Sequence, residues 1–184
     1  MEELLLDNPV IASVKDEAGV DAALRAECPV VFLLFGSVLT LPPLVERLIA
    51  GGKTVLVNVD MVDGLEAKDV AVEFVRARTG AAGVLSSKAA VVRAARAHGL
   101  LGVHRCFLVD SFSYRNVGKQ LAISKPDYVE ILPGCVPRVI SWLRADVEVP
   151  IIAGGLVCDK DDVVAALGAG ATAIASSNTD VWSM

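Results

Sequence analysis

Histidine is scarce in this sequence. His98 and His104 are the only two among 184 residues, and neither stands in a metal-ligand spacing. That argues against a zinc site, which needs His, Cys or carboxylate ligands in characteristic spacings, and against a Ser-His-Asp hydrolase. Cysteines occur only at positions 28, 106, 135 and 158, with no C-x-x-C pair. The first ten residues, MEELLLDNPV, are acidic and unlike a secretory leader. A reduced, cytoplasmic protein without a disulfide framework is therefore expected. No apolar run approaches the ~18 residues that span a bilayer. The 54% hydrophobic content and mean hydropathy of +0.56 are instead assigned to a parallel sheet covered on both faces. The first strand is not followed by G-x-G-x-x-G, so a dinucleotide-binding sheet lacks its fingerprint.

What is present is regular. Strand-like runs recur as PVIASV from Pro9, PVVFLLF from Pro29, KTVLVNVD from Lys53 and AGVLSS from Ala82. They continue as GVHRCFLVD from Gly102, PDYVEILPG from Pro126, VPIIAGG from Val149 and ATAIASS from Ala171. Helical patterns lie between them, several opening on a cap residue (Ser87, Asp159) and ending at glycine (Gly80, Gly99, Gly168). The spacing predicts eight β-then-α units in one domain over residues 1–184. At about 23 residues each, such units hold a strand, a helix and two tight turns. Strict alternation of near-equal units favours an α/β fold closed as a compact (β/α)8 barrel of the TIM type. Its length lies below the usual barrel range, which leaves room for one degenerate unit.

In such a barrel, ligand chemistry gathers at the carboxyl ends of the strands. There the sequence places Gly36 and Ser37, Asp60, Ser86-Ser87-Lys88, Asp110 and Ser111, Glu130, Gly154-Gly155 and Ser176-Ser177-Asn178. Small residues after strands seven and eight, with a short helix start, match the phosphate cradle of these barrels, where main-chain N–H groups hold the anion. Gly154, Gly155, Ser176, Ser177 and Asn178 are thus the candidate phosphate-binding residues.

Arg105 lies mid-strand. If it shares the interior side with Val103, it needs an anion: Glu130, Asp60 or a ligand. If the strand faces the other way, His104 is the interior residue. Lys88 suits an anion contact or plain surface better than covalent chemistry. Asp60 and Glu130 form either an acid/base pair or two contacts to a polyol. Asp110 completes the set of strand-end polar candidates. Cys135, Trp142 and Trp182 read as packing residues.

The net charge of −5 hides an asymmetry: residues 76–144 carry eleven Lys/Arg against three Asp/Glu, the remainder six against nineteen. Arg76, Arg78, Arg93, Arg96, Arg115 and Lys119 could form a basic sector over adjacent helices. Aromatic residues make up only 5%, and no standard RNA-binding module is visible, so contact with RNA would rely on backbone charge and shape.

The motifs VNVDMVDG, GVLSSK, HRCFLVDS, PDYVEILPG, PIIAGGL and TAIASSNTDVW fall in the order of the glycerol-uptake operon antiterminator family, which the chain resembles from about Pro9 to Trp182. The resemblance implies a barrel without catalytic turnover or metal, with glycerol 3-phosphate as effector rather than cofactor. It also implies a messenger RNA leader as partner and regulation of glycerol genes as outcome, with no membrane and with homo-oligomers allowed. It carries the phosphate loops onto Gly154, Gly155, Ser176, Ser177 and Asn178. The chain departs from it at Asn58, where the family often has His, and in the FGSVLTL segment around Ser37. A phosphosugar isomerase, aldolase or lyase on the same barrel is the alternative, with Asp60, Lys88 and Glu130 as its chemical groups.

Overall fold

Along every strand the side chains alternate between two apolar environments, as the near-continuous Val, Ile and Leu runs require. In the computed structural model, which describes residues 1–184, the strands are β1 (Val10–Val14), β2 (Val30–Leu33), β3 (Thr54–Asn58) and β4 (Gly83–Ser86). They continue as β5 (Leu101–Phe107), β6 (Tyr128–Leu132), β7 (Ile151–Gly154) and β8 (Ala173–Ser176). All pair in parallel and in chain order, and β8 closes onto β1. This is a (β/α)8 barrel. One set of side chains, including Ile11, Phe32, Leu56, Leu85, Val103 and Ile152, fills its interior. The alternate set, including Val31, Leu33, Val57, Val84 and Ile131, packs outward against the helices.

The helices are α1 (Glu2–Asp7), α2 (Glu17–Arg25), α3 (Leu41–Ala50), α4 (Asp69–Arg78), α5 (Ala89–Ala97), α6 (Ser111–Ser124), α7 (Pro137–Asp146) and α8 (Lys160–Gly168). Helix α1 precedes the first strand and sends Leu5, only 2% exposed, into the interior cluster, so it plugs the amino-terminal mouth. The shortened unit is the eighth: a single 3-10 turn, Val181–Ser183, replaces its helix. Trp182 pins that turn, its buried indole Nε1 donating to Ser176 O at 2.7 Å. Trp142 differs from the packing role expected of it. It lies on the surface, edge-on to Tyr114.

Aspartate caps open three of the eight helices. Asp16, Asp110 and Asp159 accept from the N–H groups of Gly19, Ser113 and Asp162. Ser87 does not cap α5; Lys88 occupies that position and the Ser87 hydroxyl turns to Asp60 instead. No helix is long and apolar enough to cross a membrane.

Candidate functional site

The loops after β7 and β8 come together at the carboxyl-terminal mouth because two side chains of the second loop are bonded to the backbone of the first. Ser176 Oγ donates to Val157 O at 2.7 Å, and Asn178 Nδ2 donates to Cys158 O at 2.7 Å. Between the loops lies a cavity of about 280 Å³. It is lined by Gly155, Leu156, Val157, Cys158 and residues 175–178, with Ser13 and Lys15 from the end of β1 opposite. Gly155 adopts φ +72°, a left-handed conformation that favours glycine. The main-chain N–H groups of Gly155, Leu156, Val157 and Ser177 donate to no group of the protein. Lys15 is exposed and engaged in none of the ion pairs.

The floor of the cavity is charged. Arg105 points inward, and its Nε lies 2.6 Å from Oε2 of Glu130 on the neighbouring strand. The two side chains are 12% and 3% exposed. Their angle falls short of a directed hydrogen bond, so Coulomb attraction holds the pair. Burial pushes the Glu130 carboxyl above its ordinary range, with Arg105 opposing that shift. Followed around the barrel, the pairing registers put Ser13, Asn58, Arg105 and Gly154 in one interior layer. Gly154 contributes no side chain there, and Glu130 fills part of the space: a Cβ on Gly154 would stand 2.4 Å from Glu130 Oε1. Asn58 Oδ1 accepts from Asp60 N–H at 3.1 Å, whereas its buried Nδ2 has no acceptor. His104, the alternative interior residue, faces α6, its Nδ1 2.8 Å from Ser124 Oγ. Burial lowers its pKa.

The sequence and the fold have counterparts in known proteins. The sequence model of the glycerol-3-phosphate responsive antiterminators matches residues 10–182. The chain belongs to that family. Its barrel superposes on the glycerol uptake operon antiterminator regulatory protein of Listeria monocytogenes str. 4b F2365 with a TM-score of 0.92 at 28% identity, covering 96% of this chain and 95% of the other. A glycerol uptake operon antiterminator-related protein of Thermotoga maritima MSB8 gives a TM-score of 0.85 at 32% identity, over 95% and 98% of the two chains. The uncharacterized protein YgcP of Escherichia coli (strain K12) is 43% identical over 181 residues, 98% of this chain and 95% of that protein.

Several other candidates in this antiterminator-family chain stand outside the cavity. Asp60 is tied to the end of β4, accepting from Ser86 Oγ at 2.5 Å, Ser87 N–H at 2.7 Å and Ser87 Oγ at 2.8 Å. It braces two loops and does not meet Glu130. Lys88 is exposed and reaches towards Ala67 O at 3.5 Å. Asp110 caps α6 in a reciprocal capping box with Ser113, its carboxylate accepting from the Ser113 N–H while its own N–H donates to Ser113 Oγ. The bond from the Ser113 amide is the main cause holding its carboxyl below the usual range.

The six basic residues divide among α4, α5 and α6, which pack side by side. Arg76, Arg78 and Arg96 stand in last turns, away from the cavity, whereas Arg115 stands near the start of α6. Arg96 already pairs with Asp127 at 3.3 Å and donates to Lys125 O at 2.7 Å. Ser13 and Lys15 are two polar lining residues absent from the strand-end candidates. The signal was the alternation Ile11-Ser13-Lys15 at the end of the first strand.

The thiols also discriminate. Burial pushes Cys28 up to about 11 and Cys106 up to about 12, whereas Cys158 is exposed at the cavity wall. A thiol reagent at neutral pH is expected to label Cys158 and leave Cys28 and Cys106 untouched in the native state. Mass-spectrometric mapping of the label reads this directly. Early modification of Cys28 or Cys106 would contradict it.

Proposed function

We propose that this chain senses glycerol 3-phosphate and passes the signal to the leader of a messenger RNA, acting as an antiterminator of glycerol genes without catalytic turnover. The observation that carries the ligand half is the pair of cross-braced loops lining one cavity with residues whose main-chain N–H groups have no acceptor in the protein, beside an unpaired lysine. Such donors, held rigidly, suit a phosphoryl group better than a neutral one. In this reading Gly155, Leu156, Val157 and Ser177 hold the phosphate, and Lys15 supplies charge. The glycerol hydroxyls lie against Ser13, Arg105 and Glu130. Ser176 and Asn178 act on the ligand indirectly, by joining the loops.

The alternative, a phosphosugar enzyme, needs an acid, a base or a nucleophile poised over the ligand. Asp60 and Lys88 lie outside the cavity and Glu130 is committed to Arg105, which supports a sensor over a catalyst.

Regulation requires that the ligand bind one state of the protein better than another, and that RNA share the preference. Glycerol 3-phosphate is expected to raise the melting temperature, with glycerol alone giving no shift. At a concentration of about 100 Kd it stabilises the fold by about 2.7 kcal/mol. It is also expected to change the affinity for the leader RNA by about 5- to 150-fold. Fluorescence anisotropy with and without the ligand measures that coupling. Equal RNA affinities would remove the sensing role, and turnover of the ligand would favour the enzyme.

A further inference from the structure

A second cavity, of about 320 Å³, opens on the same end of the barrel between the end of β5 and α6. Its walls include Phe107 and Phe112, whose residues are 53% and 67% exposed although the sequence holds only five phenylalanines. Asn116 and Gln120 also line it, so Phe112, Asn116 and Gln120 form a row along α6 at spacings of four residues. No side-chain hydrogen bond within the protein engages either amide, so each keeps donors and an acceptor for another molecule. Arg115 and Lys119 flank this row, three residues on from Phe112 and Asn116, and neither is in an ion pair. Arg105 borders both this groove and the ligand cavity, its guanidinium 5.7 Å from the Phe107 ring centroid.

We propose that the groove between β5 and α6 seats an unpaired base of single-stranded RNA, stacked on Phe112 or Phe107 and read along its edge by Asn116 and Gln120. The proposal rests on the RNA-directed function above and locates its contact surface. Single-stranded recognition uses aromatic faces and hydrogen-bonding side chains for bases that duplex pairing would hide. The groove combines both with cations placed for the adjoining phosphates. A protein partner would be favoured by a continuous apolar patch, whereas here Asn116 and Gln120 line the groove together with the two rings. The surface also differs from a purely electrostatic sector over α4 to α6, in which Arg96 is already engaged by Asp127. Arg105 gives the groove a physical link to the effector. A ligand that changes how Arg105 is held against Glu130 also changes the cation beneath Phe107.

The test uses the full chain and a labelled leader-sequence RNA segment of about 12 nucleotides, free or annealed to its complement, with anisotropy read at fixed salt. The wild type is expected to prefer the single strand. Phe112→Ala is expected to weaken that binding by at least about fivefold, and Asn116→Ala to weaken it while altering base preference. Both side chains are on the surface, so native melting and an unchanged thermal shift with glycerol 3-phosphate establish that the fold and ligand cavity are intact. Equal affinity for single strand and duplex would overturn the groove as a base site. So would wild-type affinity in both variants, although the RNA function itself would survive that result. Failure of the wild type to bind either RNA would overturn the groove together with the RNA function.

Discussion

Arg105→Ala is expected to cost about 3–5 kcal/mol of folding stability in a urea melt at neutral pH, because it strips the counter-charge from a carboxylate sealed inside the barrel. The two partners are not equivalent. Both line the cavity, but Arg105 keeps more contact with solvent, whereas Glu130 is almost wholly buried and is crowded against Gly154. Loss of the arginine therefore leaves the worse orphan. The pH dependence follows from the direction of the Glu130 shift. Its folded pKa is raised above the ordinary value of 4.5, so its contribution is fully present below that value and is lost as pH rises through the folded pKa. Arg105 opposes the rise; without it the folded pKa climbs further, and the loss continues to higher pH. The gap between wild type and variant is expected to be small near pH 4.5 and to widen towards about pH 8. Arg105→Ala combined with Glu130→Gln should recover much of the loss, because a neutral amide needs no counter-ion. A gap that is the same at every pH would show that packing, rather than charge, is what Arg105 supplies.

Ser177→Asp is expected to reduce affinity for glycerol 3-phosphate by about 100-fold or more, since like charges forced together in an interface cost several kcal/mol. Ser177 is exposed at the start of the loop after β8, its main-chain N–H has no acceptor, and its side chain makes no bond that the fold needs. A carboxylate there would stand beside the phosphoryl group and compete with it for Lys15 and the loop amides. The melting temperature without ligand should stay near that of the wild type, because neither cross-brace involves this residue. Lys15→Ala supplies the graded comparison. Removing one charge-assisted contact costs about 1.5–3 kcal/mol, a 10- to 150-fold loss. Calorimetric titration separates the outcomes, and undiminished binding by Ser177→Asp would place the phosphate elsewhere.

Much of this was legible in the chain. Runs of β-branched residues at intervals of about 23 residues, each followed by a helical pattern, specify parallel strands and helical crossovers. Eight such near-equal units favour closure, which removes exposed sheet edges. The glycine and serine pairs after the seventh and eighth strands were visible because tight turns and close backbone approach need small residues.

Other assignments depended on direction, which a strand-end motif does not carry. Asp60, Lys88 and Asp110 all stand just beyond strand ends, yet their side chains brace a loop, lie on the surface and cap a helix. Lys15 lies one residue beyond β1, in a stretch without the glycine and serine pairs that mark the seventh and eighth strand ends. The roles of Ser176 and Asn178 as cross-braces depend on the distance between two loops.

By itself, then, the sequence determined the barrel, the order of its units and the small polar residues at the carboxyl ends of its strands, since periodicity and turn chemistry are local properties of a chain. Only the tertiary structure decided that Arg105, rather than His104, faces inward onto Glu130, and that Lys15 lines one cavity with the loops after β7 and β8. The physical reason is register. A shift of one residue between paired strands exchanges inside for outside along a whole strand, and that choice is made by the packing of all eight strands together.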